Sequence, residues 1–272
     1  MVVKRPATPP PGRERLVFSP VSHTYEFDGM RVPGVTTVLK LIDGMEGVPP
    51  DRLLVAGMRG TAVHTATEEH DLGLPIKVAS DPVVWGVVEP YVTAYLQFLS
   101  DHRDTLVIED VEERVYHPLY QYAGTADRVA LLAGERAVID IKTSSKLNPA
   151  VGPQLAAYQE ALNAHRTAKK RVTTRYALQL KKDATYVLKP YWESDDFAVF
   201  RACLEVYRWR MAKGLGELVR PSGVTLASGY ELTDGGWPLR PVQGEKETPL
   251  SQDEPEPTPI TLYGRKPLAE RK

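Results

Sequence analysis

Asp127, Asp140 and Lys142 are the residues of this chain whose types and spacing invite chemistry. They lie in Gly124-Thr125-Ala126-Asp127 and Val138-Ile139-Asp140-Ile141-Lys142-Thr143, two β-rich runs on either side of Ala133-Gly134. If the runs turn symmetrically there, Leu132 faces Glu135 and Asp127 falls opposite Asp140. Cross-strand Cβ atoms on one face are about 4.5–5.5 Å apart, and two carboxylates at that range repel unless a cation sits between them. Side-chain alternation puts Lys142 on the face of Asp140 and sends Ile139 and Ile141 to the other side, into the core. Hard oxygen ligands suit Mg²⁺ or Mn²⁺, and magnesium keeps several waters when only one or two carboxylates hold it. Such a water is a nucleophile, and Lys142 is placed to orient it or to steady charge on a phosphoryl oxygen. The chemistry that follows is phosphodiester hydrolysis.

The elements that must position these groups can be read from punctuation and period. Tyr25 and Phe27 before Asp28-Gly29, with Val32 after it, predict a hairpin, followed by a short helix capped by Thr36 or Thr37. Asp51 to Leu72 lacks proline and stops at Gly73, which predicts a helix carrying His64 and Glu68 on one face. A second helix is expected from the Ser80-Asp81-Pro82 cap toward His102, with an apolar stripe through Val84, Val88, Tyr91, Tyr95 and Phe98 and a bend at Pro90. The period then changes to that of strands, expected over 106–116, 121–132 and 135–142. A helix from Pro149 to His165, strands over 172–181 and 185–191, and a last helix from Asp195 to Lys213 complete the pattern. This is an α/β fold with a mixed, mainly antiparallel central sheet flanked by helices.

Gly124-Thr-Ala-Asp127, then Asp140-Ile-Lys142, then Gln154-x-x-x-Tyr158 on the following helix resembles the signature of the RecB-like, phage-type exonuclease branch of the PD-(D/E)XK nuclease superfamily. Gly60-Thr61-x-x-His64 on the upstream helix matches that branch as well, and the resemblance spans roughly Leu16 to Trp209. It implies a metal held by Asp127, Asp140 and the Ile141 carbonyl, with His64 as a further ligand. It implies that Gln154 and Tyr158 support the site or touch DNA. It also implies a magnesium-dependent exonuclease acting on single- or double-stranded DNA with a free end, in recombination, repair or phage DNA processing. A recombination or single-strand-binding protein is the partner such a role would bring. The alternatives are a structure-selective or restriction-type endonuclease with the same metal site, and a catalytically inactive nucleic-acid-binding protein of the same fold. Relatives that hold an iron–sulfur cluster use four cysteines, and this chain has one.

Composition sets the outer limits. The 272 residues carry a formal net charge of −1, so any nucleic-acid contact must come from a local patch and not from a polycationic surface. One cysteine, Cys203, excludes an intramolecular disulfide and points to a reducing cytosol; it reads as a small core residue of the last helix. No stretch approaches membrane-spanning length, and the N-terminus lacks the apolar core of a signal peptide. Pro-rich residues 1–14 are expected to form a disordered lead, 15–240 the nuclease domain, and the Pro- and Glu-rich 241–272 a mobile tail.

Asp-x-Lys on a strand is by itself usually a solvated pair, and the convergence of the groups is what carries weight. Glu68 reads as a surface charge or a support for His64, and Glu113 as a residue that faces the site from the neighbouring strand or as an edge charge. Both rank below the core set. The basic runs Lys169-Lys170-Arg171 and Lys181-Lys182, and Arg201, Arg208 and Arg210, are candidate phosphate contacts that more often turn out to be solvated.

Overall fold

In a computed structural model, the described residues are 15–20 and 22–218, together with the two-residue strands Tyr230–Glu231 and Arg240–Pro241. The expected lead at 1–14 and nearly all of the expected tail at 241–272 lie outside the described residues.

The chain opens with a small antiparallel sheet of three strands, β1 (Leu16–Ser19), β2 (Thr24–Phe27) and β3 (Met30–Val32). The β2–β3 hairpin turns at Asp28-Gly29 as expected, both residues having positive φ, and β1 adds a third strand that the pattern did not announce. The short helix α1 (Val35–Leu39) follows. Its N-cap is Gly34 with no side-chain cap, so neither Thr36 nor Thr37 plays the role expected of it; both fall inside the helix. Helix α2 (Pro50–Asp71) brings His64 to the sheet. Helix α3 (Pro82–Asp101) starts where Asp81 accepts from the backbone N–H groups of Val83 and Val84, the cap expected from sequence.

The central sheet has five strands in the order β4 (Leu106–His117), β5 (Tyr122–Leu132), β6 (Glu135–Lys142), β7 (Thr174–Leu180) and β8 (Tyr186–Pro190). All neighbours are antiparallel except β6 and β7, whose parallel pairing is bridged by helix α4 (Val151–Asn163). Helix α5 (Asp196–Ala212) follows β8. The sheet is covered on both faces. Helices α1, α4 and α5 bury Val38, Leu155, Tyr158, Phe200 and Leu204 against Val129 and Val138 on one side. Helices α2 and α3 bury Val63, Ala66, Val88, Tyr95 and Phe98 against Ile139, Ile141 and Leu178 on the other. Cys203 belongs to the first of these cores. None of the described helices is long and apolar enough to cross a membrane.

Two irregularities in β4 and β5 place the site. The β4–β5 register shifts at Glu109, a bulge between Ile108 and Asp110, and Glu112 further along β4 adopts φ +49°. On β5, Tyr122 and Ala126 face the α4 side before Asp127, yet Val129 faces it afterwards. The alternation therefore slips by one residue at Asp127. The carboxylates of Glu112 and Asp127 are released from the regular pleat at one level of the sheet.

Candidate metal centre

The β5–β6 hairpin has the register expected from sequence, Leu132↔Glu135 through Arg128↔Ile139. The ladder stops one step short of Asp127 and Asp140. There the Asp127 side chain substitutes for a backbone acceptor: its Oδ2 takes the Ile141 N–H at 2.6 Å. This contact crosses from β5 to β6 and turns the other oxygen, Oδ1, toward His64 Nδ1 at 3.6 Å. Glu112 Oε1 approaches the same nitrogen at 4.0 Å. On the far side of the imidazole, Nε2 lies 3.0 Å from the Ile141 carbonyl oxygen. Ligand atoms of His64, Glu112 and Asp127 all fall within 4.8 Å of one another.

Asp140 and Lys142 form the second half of the centre. Lys142 Nζ is 2.6 Å from Asp140 Oδ2 and donates to Gln154 Oε1 at 3.0 Å. The amide nitrogen of Gln154 donates to Asp140 Oδ1 and to the Tyr158 hydroxyl, both at 3.1 Å. Gln154 and Tyr158 lie one turn apart on α4, so the crossover between β6 and β7 holds this pair over the carboxylate. Tyr158 is also packed in the core between α4 and the sheet. Gly124 makes room for it: a Cβ there would stand 2.6 Å from Tyr158 Cε1.

Behind the centre, Arg128 points to the opposite face, between α2 and α3. Its Nε donates to Asp71 Oδ2 at 2.6 Å, and its Nη1 donates to the Asp127 carbonyl at 2.7 Å and reaches Glu112 Oε1 at 3.5 Å. Tyr95 Oη completes the cluster, donating to Asp71 Oδ2 at 2.5 Å. Arg128 thereby fixes the backbone of one candidate ligand and the side chain of another.

The electrostatics favour a cation. Burial raises the Asp127 carboxyl above its ordinary range; His64 offsets part of this and Glu112 adds to it. Burial also raises Asp140, Lys142 pulls it back and Asp127 pushes it up again, leaving it at about 6. Burial alone would lower the His64 imidazole, but Asp127 and Glu112 override this and raise it to about 9. Lys142 behaves likewise: burial opposes its charge, while Asp140 and Asp127 hold it above the usual lysine value. The proton on His64 and the ammonium of Lys142 both answer the same excess of buried negative charge. An imidazole and two carboxylates within reach of one point also fit a hard or borderline divalent cation.

His64, Asp127, Asp140, Lys142, Gln154 and Tyr158 all line one cavity of about 990 Å³, and the Ile141 carbonyl meets His64 at its edge. Glu68 and Glu113 line it too, but the β4 carboxylate beside His64 and Asp127 is that of Glu112, not Glu113. The reason is the backbone at Glu112, with its left-handed φ, just beyond the Glu109 bulge. Strand alternation alone points to Glu113, and nothing local in the sequence marks the break at Glu112. None of the expected basic clusters reaches the cavity; Arg201 and Arg208 instead contact the Tyr120 hydroxyl and carbonyl.

A five-stranded mixed sheet with helices on both faces, bearing acidic groups and a lysine where its central hairpin opens, has the core architecture of a nuclease fold. The chain belongs to the PD-(D/E)XK nuclease superfamily, whose family model matches residues 38–217. No curated protein matches the chain.

Proposed function

We propose that the protein is a divalent-metal-dependent nuclease that hydrolyses phosphodiester bonds at DNA ends, an exonuclease most at home in recombination, repair or phage DNA processing. The observation that carries this reading is the meeting in one cavity of the His64, Glu112 and Asp127 ligand atoms, within 4.8 Å, with the Asp140–Lys142 pair at 2.6 Å. His64, Glu112 and Asp127 would hold the ion, with Asp140 and the Ile141 carbonyl as the remaining candidate ligands. When bound, Mg²⁺ or Mn²⁺ supplies Lewis acidity toward a phosphoryl oxygen and lowers the pKa of water at neutral pH. The chain's own groups supply the rest. Lys142 presents a fixed positive charge where negative charge develops on the phosphoryl group, and Gln154 and Asp140 keep its ammonium from swinging away. Tyr158 holds Gln154 in turn. Burial keeps the Tyr158 hydroxyl protonated far above neutral pH, so it serves as a hydrogen-bonding group and not as a base.

The test is incubation with end-labelled single- and double-stranded DNA, with and without Mg²⁺, beside covalently closed circles and an Asp127→Asn control. Metal-dependent loss of label from linear DNA that leaves closed circles intact is the expected result. Cutting of the circles would make the enzyme an endonuclease. No hydrolysis with any divalent ion would overturn the nuclease reading.

A further inference from the structure

The sheet β1–β3 precedes the residues matched by the family model, yet it forms one wall of the cavity: Leu16, Phe18, Pro20, His23 and Tyr25 line it together with Asp127 and Lys142. Its buried residues Leu16 and Tyr25 form a small cluster with Ala123 of β5. The three strands are fixed to the central sheet by Phe27 stacked on Tyr116, ring centroids 3.8 Å apart, and by the Tyr25 hydroxyl 2.9 Å from Thr125 Oγ1. Thr125 is two residues from Asp127. The wall is therefore held rigidly in step with the candidate metal ligands.

Its chemistry is aromatic and cationic. Phe18 and Leu16 share a face of β1, while Val17 points away into solvent. The Phe18 ring is half-buried against Tyr25, at 4.7 Å, with the exposed His23 edge-on at 5.2 Å. The exposed Arg114 guanidinium lies 5.9 Å from the Phe18 ring centroid and has no ion-pair partner among the described residues. The rest of the cavity has the opposite character. Seven of its lining residues are Asp or Glu, against Arg114 and Lys142; Arg136, Arg166 and Arg128 pair with Glu109, Asp110 and Glu112. Such a lining gains little from a phosphate backbone beyond one or two phosphates. The remaining contact must come from the uncharged part of a nucleic acid, its bases.

Resting on the nuclease reading, we infer that the β1–β3 wall is a stacking subsite, in which Phe18, flanked by His23 and Arg114, takes the base of an unpaired nucleotide beside the scissile phosphate. A base inside a duplex has both faces occupied, and a paired terminal base exposes only its outer face, so insertion of a base beside Phe18 requires a single strand or a frayed end. The substrate class is single-stranded DNA, or duplex DNA with an unpaired terminus.

The test is fluorescence anisotropy of the full chain in Ca²⁺, with labelled oligothymidylates checked intact after each measurement. The probes are the plain oligonucleotide, a set with one abasic residue stepped along it, and a blunt duplex of equal length. The single strand binds more tightly than the blunt duplex, and one abasic position weakens binding about 5- to 150-fold, the range expected for one aromatic–base stack. Phe18→Leu keeps apolar contact with the sheet but lacks a π-face. It loses the same factor and becomes indifferent to the abasic position, whereas Phe18→Trp retains both. Indifference of the wild type to every abasic position, or preference for the blunt duplex, overturns the inference without reference to any variant. Metal-dependent cleavage with such indifference would remove the stacking wall and leave the nuclease. Base-dependent binding without cleavage would do the reverse.

Discussion

Replacing Arg128 by methionine removes a buried cation that ties α2 and α3 to the hairpin bearing Asp127. The side chains of Arg128 and Asp71 are 2% and 1% exposed, so water does not reach the carboxylate left behind. Two unit charges about 4 Å apart interact by roughly 4 kcal/mol at an effective dielectric of 20. This agrees with the 3–5 kcal/mol that follows removal of one partner from a buried pair, since the other is stranded. For a core of roughly 200 residues each kcal/mol moves the melting temperature about 2–4 °C, so Arg128→Met should melt about 6–20 °C lower. Adding Asp71→Leu should recover much of the loss, because the stranded charge goes too. Arg128 Nη1 also braces the Asp127 carbonyl and Glu112, so Mn²⁺ affinity at a temperature where the variant is fully folded should fall about 10-fold, as for other residues that orient metal ligands. Circular dichroism melts and isothermal titration with Mn²⁺ measure the two effects. A melt within about 2 °C of wild type, on a scale where a single kcal/mol is visible, would refute the pair's role in stability. Unchanged Mn²⁺ affinity would refute the bracing.

Lys142→Ala should still bind Mn²⁺ and DNA but lose on the order of 10²- to 10³-fold in single-turnover cleavage, the effect of removing a group that stabilises transition-state charge. Asp127→Asn should show the converse, weakened Mn²⁺ binding first and lost cleavage as its consequence, with a slightly higher melting temperature in chelator because burial penalises the Asp127 charge by more than the His64 attraction returns. The His64 imidazole, raised to about 9, stabilises the metal-free fold fully below its unfolded pKa of about 6.5, and that stability is lost as pH rises through about 9. The metal must displace the same proton, so Mn²⁺ affinity should rise with pH between about 7 and 9 and titrations in buffers of different ionisation enthalpy should reveal proton release. A chain ending at Pro241 should keep its activity, since it retains every residue of the candidate site; cleavage assays on the shortened, folded protein decide.

Much of this was legible because the residues concerned lie in regular elements. Turn chemistry at Ala133-Gly134 and strict alternation in β6 were enough to set Leu132 against Glu135 and to separate Asp140 and Lys142 from Ile139 and Ile141. Helix periodicity placed His64 on α2, and the Gln154–Tyr158 spacing placed both on one side of α4. What escaped depends on departures from regularity or on contacts remote in sequence. Glu112 in place of Glu113 follows from a bulge and a left-handed non-glycine residue, neither of which has a local signal. The Asp71–Tyr95–Arg128 cluster joins three elements through buried polar atoms that a hydrophobic pattern records only as interruptions. Strand β1 is four residues long and pairs only through β2, too short for its period to stand out.

The contact between Gly124 and Tyr158 makes the two positions epistatic. A Cβ at Gly124 would lie 2.6 Å from the Tyr158 ring, so Gly124→Ala in the present background forces α4 and β5 apart, and with them Gln154 from Asp140. Shortening Tyr158 first would remove that barrier but release Gln154 from its hydroxyl partner. Neither single step is neutral, and the harm of the first exchange depends on the residue at the other position. Glycine and tyrosine, 34 positions apart in the chain, therefore behave as one inherited character, open to replacement only as a pair.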